Sequence, residues 1–201
     1  MKKIILASAS PRRREILEKL GLEFEVLVSS ADESKIDKNS VEAPLYVQEL
    51  ALLKAAAVAE KLKSRNALII SADTIVCLDG QILGKPKNEE DAEYMLSKLS
   101  GRTHSVFSGI CVMDAKTLKS VCAKEETKVS FCEITPEKIK AYVKTGEPMD
   151  KAGSYAVQGL GALFTEKIEG DFFNVIGLPV KKLSEILEKE FEFDIFKELK
   201  Q

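Results

Sequence analysis

KIILASASPRRREILEKLGLEFEVLV, residues 3–28, decides the fold. Residues 3–7 (KIILA) are apolar on both faces, which suits a strand inside a sheet better than one at its wet edge. Ser8, Ala9 and Ser10 break the run. Residues 11–20 then read as a helix, with Ser10 suited to the N-cap, Pro11 to the first helical position and Gly21 to the stop. Residues 24–28 return as a strand.

Outward from that segment, 32–40 is polar and lacks periodicity, so it reads as a loop. Residues 44–63 carry apolar side chains at 47, 50, 51, 55 and 58, the stripe of a long helix. A second buried strand is expected over 67–72 (ALIISA), with 75–78 extended into an Asp79-Gly80 turn. Asn88 caps a helix to about residue 99, ended by Gly101. Segments 103–114 and 118–132 form a hairpin of two long strands. Thr135-Pro136-Glu137 starts a further helix, stopped by Gly146, and 147–161 is a structured loop. A second hairpin pairs 163–168 with 172–176 across Glu169-Gly170, and 179–191 closes the chain as a helix. Strands alternate with helices early and pair antiparallel later, so the fold class is α/β with a mixed sheet, in two lobes hinged near residues 100 and 150.

A chain of 201 residues buries roughly 70% of the surface its unfolded form exposes, and needs no disulfide or metal staple. Apolar residues at 45% and charged residues at 31% are ordinary for a globular protein. The net charge of −2 gives no ground for a nucleic-acid or membrane-surface partner. Cys77, Cys111, Cys122 and Cys132 are widely spaced with no C-x-x-C pair, so packed, reduced thiols are expected. The apolar run after Lys2-Lys3 is too short for a signal peptide, and no stretch approaches the roughly 18 residues of a membrane span. A cytoplasmic location follows as the expectation.

Two features break local rules. Arg12, Arg13 and Arg14 occupy the first turn of a helix, where cations oppose the helix dipole. The arrangement makes sense if an anion, phosphate above all, sits where backbone N–H groups, serine hydroxyls and guanidinium forks converge. The alternative is that the arginines are solvated or paired with Glu15 and Glu18. The turn is not a Walker A loop, since its glycine–lysine pattern is absent. Asp73 interrupts the apolar run SADTIV and leaves the end of a buried strand, where a carboxylate is placed to hold a metal or take a proton from water. It could equally cap a turn through Thr74. Glu33 in a polar loop, Lys54 interrupting the apolar face of a helix, and Lys85 in the tight turn Gly84-Lys85-Pro86 are individually weak signals. The single histidine, His104, reads as a strand-start residue rather than a catalytic base.

The segments LASASPRRREIL (6–17), LALLKA (50–55), SADTIV (71–76), LGKP (83–86), LSGRTHSV (99–106), GEPMDKAGSYAVQGLGALF (146–164) and NVIGLPV (174–180), in this order, resemble the Maf family of nucleoside triphosphate pyrophosphatases. The resemblance covers nearly the whole chain. It implies one Maf-like domain over 1–201, a mixed twisted sheet flanked by helices, and two lobes around a deep cleft, similar to inosine triphosphate pyrophosphatases. It implies Mg²⁺- or Mn²⁺-dependent hydrolysis of a nucleoside triphosphate to the monophosphate and pyrophosphate. Residue by residue, Asp73 matches the proton acceptor. Ser8, Arg12, Arg13, Glu33, Lys54 and Lys85 match polar cleft positions, and Arg12, Thr74 and Gln158 match positions of base selection. Asp73 with Glu33 is the expected metal pair. GEPMDKAGSYAVQG resembles the branch that cleaves dTTP and UTP, and a glutamine amide suits the edge of uracil or thymine. The rival is a non-catalytic nucleotide-binding regulator of division. A homodimer is expected from symmetry frequencies alone.

Overall fold

In a computed structural model, which describes residues 2–38, 40–63 and 65–199, β1 (Lys3–Leu6) leads through α1 (Pro11–Lys19) to β2 (Phe24–Val26). β1 and β2 run parallel, with Ile4 opposite Phe24 and Leu6 opposite Val26. Ile4, Ile5 and Leu6 are buried, as an apolar run facing both ways requires. Pro11 opens α1 where no N–H is needed, and Gly21, at φ +71°, ends it by donating to the Glu18 carbonyl. Ser10 stands at the N-cap but its side chain makes no capping bond; its own N–H is accepted by Ser8 Oγ at 3.2 Å.

α2 (Ala43–Leu62) buries Val47, Leu50, Ala51, Ala55 and Val58, the expected stripe. Behind it, β3 (Ala67–Leu78) is one strand of 12 residues. It runs parallel to β1 from Ala67 to Ile70 and antiparallel to β4 (Gln81–Leu83) from Val76 to Leu78. Asp73 therefore lies inside a strand, not at the end of one. The partner on one edge changes from β1 to β4 around it, while β5 (Thr103–Asp114) lines the other edge, so the backbone stays extended past the charge.

α3 (Glu89–Leu99) is capped by Asn88, whose side chain accepts from the Asp91 N–H at 2.9 Å. β5 and β6 (Ser120–Phe131) are sheet neighbours, as the long-hairpin reading expects. Asp114 closes the turn between them by accepting from the N–H groups of Lys116 and Thr117 at 2.8 and 2.9 Å. α4 (Pro136–Val143) follows its Thr135 cap.

The second hairpin is not formed. β7 (Thr165–Glu169) pairs with β6, Val129 opposite Ile168, and the second arm is α5 (Phe172–Ile176). Asp171 Oδ1 accepts from the N–H of Phe173 at 2.7 Å and of Asn174 at 3.3 Å, which starts a helical turn. Buried Asn174 then donates to the Val106 carbonyl and Thr127 Oγ1, each at 3.0 Å. α6 (Val180–Phe191) and α7 (Ile195–Glu198) close the chain.

The fold is mixed α/β: a seven-stranded sheet in the order β2-β1-β3-β5-β6-β7, with β4 on β3. Two compact units share its long strands. The first comprises the described parts of 1–73, 108–125 and 177–201, and the second 74–107 and 126–176. Ile5, Ala51, Ala55, Val58, Ile69 and Cys111 centre the first core. Leu96, Leu99, Val129, Phe131, Tyr155 and Phe164 centre the second. Cys77 and Cys111 are packed as expected, but Cys122 is half-buried and Cys132 exposed. Among the described residues no helix is long and apolar enough to cross a membrane.

In the first unit, two contacts seat α2 on the sheet. Gly109 of β5 lies against α2 so closely that a Cβ would come 2.1 Å from the Val47 carbonyl oxygen. Buried Ser71 of β3 donates to the Ala51 carbonyl at 2.6 Å. Both fix the turn that carries Lys54.

Candidate active site

One turn beyond Ala51, Lys54 Nζ lies 2.6 Å from Asp73 Oδ1 and 3.1 Å from Glu33 Oε1. The Lys54 and Asp73 side chains are 13% and 15% exposed, while Glu33 is 52% exposed. A carboxylate in the middle of a buried strand needs such a partner, because an uncompensated one would lose its hydration for nothing. Glu33 sits on a short 3-10 turn (Glu33–Lys35) where the sequence reads as a loop. Asp32 makes that turn, accepting from the Ser34 N–H at 3.1 Å and hydroxyl at 2.6 Å. Three residues far apart in sequence, all singled out by the sequence reading, thus converge.

Tyr46 was not among them. It lies on α2 two turns before Lys54, half-buried. Burial raises its phenol pKa, and the negative fields of Asp73, Glu33 and Asp37 raise it further. The eight-residue spacing to Lys54 on one helix is the signal that could have found it.

The arginine turn divides. Arg14 pairs with Glu18 on the surface at 2.7 Å, as the solvated reading holds. Arg13 does not: it is half-buried, with Nε donating to the Gly177 carbonyl at 2.8 Å and Nη1 to Ser8 Oγ at 3.2 Å. Burial pushes its pKa down, Asp73 opposes that, Arg12 adds to it, and Glu33 opposes it again. α1 has no acidic residue in its first turn, so the positive end of the helix and a half-buried guanidinium point to an anion. Ser8 is buried and Arg12 half-buried beside it in sequence. The Gly177 carbonyl, 164 residues away, could not be read from this segment.

Asp73 and Glu33 also suit a divalent ion. Two carboxylate oxygens converge on one cationic atom, and hard oxygen donors of that kind are what Mg²⁺ and Mn²⁺ accept. Among the described residues no group of three or more His, Cys, Asp or Glu could hold a metal. One or two carboxylates plus substrate phosphates is the usual donor set for Mg²⁺.

The other sequence-selected residues belong to the second unit. Thr74 follows Asp73 in β3 and is half-buried. Lys85 is exposed in an irregular connector after β4 rather than in a tight turn, because Pro86 disfavours a helical or turned backbone at the residue before it. Gln158 is exposed on the turn that precedes a 3-10 segment (Leu160–Phe164). His104 is buried, with Nε2 2.7 Å from the Tyr155 hydroxyl and edge-on contacts to Phe131 and Tyr155. Burial holds its pKa down to about 4, which fits a core residue and not a base.

Comparison with known proteins agrees with these motifs. A dTTP/UTP pyrophosphatase of Thermoanaerobacter sp. (strain X514) is 50% identical over 190 residues, covering 94% of this chain and 97% of the relative. One from Desulforamulus reducens is 52% identical over 187 residues (93% and 96%), and one from Clostridium perfringens 51% over 187 (92% and 96%). Among solved structures, a nucleoside-triphosphatase (dITP/XTP pyrophosphatase) from Mycobacterium abscessus matches 66% of this chain and 74% of its own, at 18% identity and a TM-score of 0.39, too slight a likeness to carry an argument. The model of the family described as Maf-like protein matches residues 3–190. The chain belongs to the Maf-like protein family.

Proposed function

We propose that this chain hydrolyses dTTP and UTP to the monophosphate and pyrophosphate. The observation that carries the reading is Lys54, seated on the sheet through α2, drawn between Asp73 inside a strand and Glu33 on an exposed turn. The half-identical relatives named dTTP/UTP pyrophosphatase support the substrate.

In this mechanism a water oxygen attacks the α-phosphorus and the bond from that phosphorus to the α–β bridging oxygen breaks, so pyrophosphate leaves. Asp73 takes the proton of the attacking water. Arg13, half-buried and held by the Gly177 carbonyl and Ser8 Oγ, meets phosphate charge with a guanidinium that needs little reorganisation. Lys54 and Lys85 balance the charge that builds on the departing pyrophosphate. A single fixed charge of this kind is worth about 10²–10³ in rate. Ser8 and Arg12 complete the phosphate contacts. Thr74 and Gln158 read the base, the Gln158 amide offering a donor and an acceptor to the pyrimidine edge. Asp73 and Glu33 are the residues that would hold Mg²⁺ or Mn²⁺, which when bound offsets triphosphate charge and orients the phosphates. The enzyme acts in the cytoplasm, and a homodimer is the assembly we assign it.

The test is a panel of natural and modified nucleoside triphosphates with Mg²⁺ or Mn²⁺, followed by pyrophosphate release. Preferential cleavage of dTTP and UTP is expected. Preference for a purine, or nucleotide binding without turnover, would overturn the reading.

A further inference from the structure

We infer that Glu147 is a positioning residue for base selection, its carboxylate fixing the turn that presents Gln158. The inference rests on the proposed role of Gln158 and extends it to a residue that reaches the substrate only through another.

Glu147 opens a short 3-10 segment (Glu147–Asp150), eleven positions before Gln158. Its Oε2 accepts from the Leu160 N–H at 2.9 Å, and its Oε1 from the Gly161 N–H at 3.2 Å and the Tyr142 hydroxyl at 2.9 Å. The two amides follow Gln158 by two and three residues. Gly159 N–H reaches back across Gln158 to the Ala156 carbonyl at 3.4 Å. The turn is therefore closed over Gln158 by its own backbone and tied from outside, just after Gln158, to an ionised side chain.

The surroundings are shaped for that carboxylate. A Cβ on Gly159 would lie 2.5 Å from both Glu147 oxygens, and one on Gly161 would lie 2.7 Å from the Ala156 carbonyl and 2.9 Å from the Tyr142 hydroxyl. Only Gln158-Gly159-Leu160-Gly161, with glycine at both places, lets the backbone close around it. Glu147 is itself anchored: its N–H donates to Thr145 Oγ1 at 3.2 Å, and Lys151 Nζ donates to its carbonyl at 2.6 Å. Burial would raise its pKa, but the Leu160 and Gly161 amides, the Tyr142 hydroxyl and the Lys151 charge outweigh it, and the net shift is downward. The group stays a carboxylate at neutral pH.

Nothing in this set carries a proton to or from phosphate, so its effect falls on where Gln158 stands. A side chain that discriminates bases by two hydrogen bonds must be held within about 0.5 Å. Exposed as it is, Gln158 cannot draw that precision from packing of its own side chain.

The experiment compares wild type with Glu147→Gln, measuring kcat and KM for UTP, for CTP and for ribose 5′-triphosphate, which has no base. Glutamine keeps the shape but turns an NH₂ group toward amides that need an acceptor. The expected result is a roughly tenfold fall in the UTP-over-CTP ratio of kcat/KM. That fall should appear as a higher KM for UTP, with no matching change for ribose 5′-triphosphate. In a Gln158→Ala background, Glu147→Gln should leave the ratio where Gln158→Ala put it. Tyr142→Phe, which removes one donor and little volume, should move the ratio the same way by less. An unchanged ratio in Glu147→Gln, or an equal loss on all three substrates, would overturn the inference while leaving the proposed function standing. Wild type that releases no pyrophosphate from any of them would overturn both.

Discussion

Replacing Gly109 by alanine should push α2 off the sheet and separate Lys54 from Asp73. The new Cβ would lie 2.1 Å from the Val47 carbonyl oxygen, 2.3 Å from its carbon and 2.6 Å from the Gln48 nitrogen. All three are backbone atoms, so no side chain can rotate away. Reaching an ordinary contact of 3.4 Å requires a retreat of about 1.3 Å. Overpacking of this kind costs about 1–3 kcal/mol. The Ser71–Ala51 hydrogen bond, now 2.6 Å, would be lost with it, at about 1 kcal/mol. For a chain of this length the sum corresponds to a fall in Tm of roughly 5–15 °C. The Lys54–Asp73 contact of 2.6 Å would open beyond hydrogen-bonding reach, and a misplacement near 1 Å can lower turnover by about 10²-fold. Thermal unfolding followed by circular dichroism and pyrophosphate release under saturating substrate measure the two effects separately. A Gly109→Ala protein with wild-type Tm and turnover would refute the claim that this contact seats Lys54 against Asp73.

Arg13→Lys should lower both stability and turnover, because a lysine cannot serve the Gly177 carbonyl and Ser8 Oγ from one planar group. A loss of about 1–3 kcal/mol in urea unfolding is expected, and a variant as stable as wild type would contradict the anchoring role. His104 makes a pH-dependent contribution. Its folded pKa of about 4 lies below the ordinary 6.5, so the unfolded chain binds a proton there first. Stability is whole above pH 6.5 and falls as the pH drops toward 4, by about 2 kcal/mol between pH 7.5 and 5. Urea unfolding of His104→Gln should lack that part of the decline, and an identical decline would show that His104 is not its source.

Much of this was legible in the sequence because it is local. The βαβ entry follows from KIILA, Pro11 and Gly21, and the caps at Asn88 and Thr135 from residues whose side chains reach the next turn. Asp73 and Lys54 stood out because each breaks an apolar pattern, and the structure brings them together with Glu33. What the sequence could not carry is long-range. Strand β3 runs on past Asp73 because its edge partner changes from β1 to β4, a fact of pairing and not of propensity. Residues 172–176, rich in aromatic and β-branched side chains after Glu169-Gly170, read as the second arm of a hairpin, but Asp171 and the burial of Asn174 turn them into a helix. Arg13 and Arg14 are neighbours of the same type, and only the tertiary position of Gly177 draws one into a half-buried bond and leaves the other on the surface.

The central claim is that Asp73 is the proton acceptor of a pyrophosphate-releasing hydrolysis. Asp73→Asn keeps the size of the side chain and an oxygen for Lys54 Nζ, now 2.6 Å away, while removing the base. Single-turnover release of pyrophosphate from dTTP by the two proteins is the direct measurement, with circular dichroism confirming that both fold. The account predicts a loss of about 10²–10⁴-fold in the variant. Pyrophosphate release by Asp73→Asn at close to the wild-type rate would contradict it.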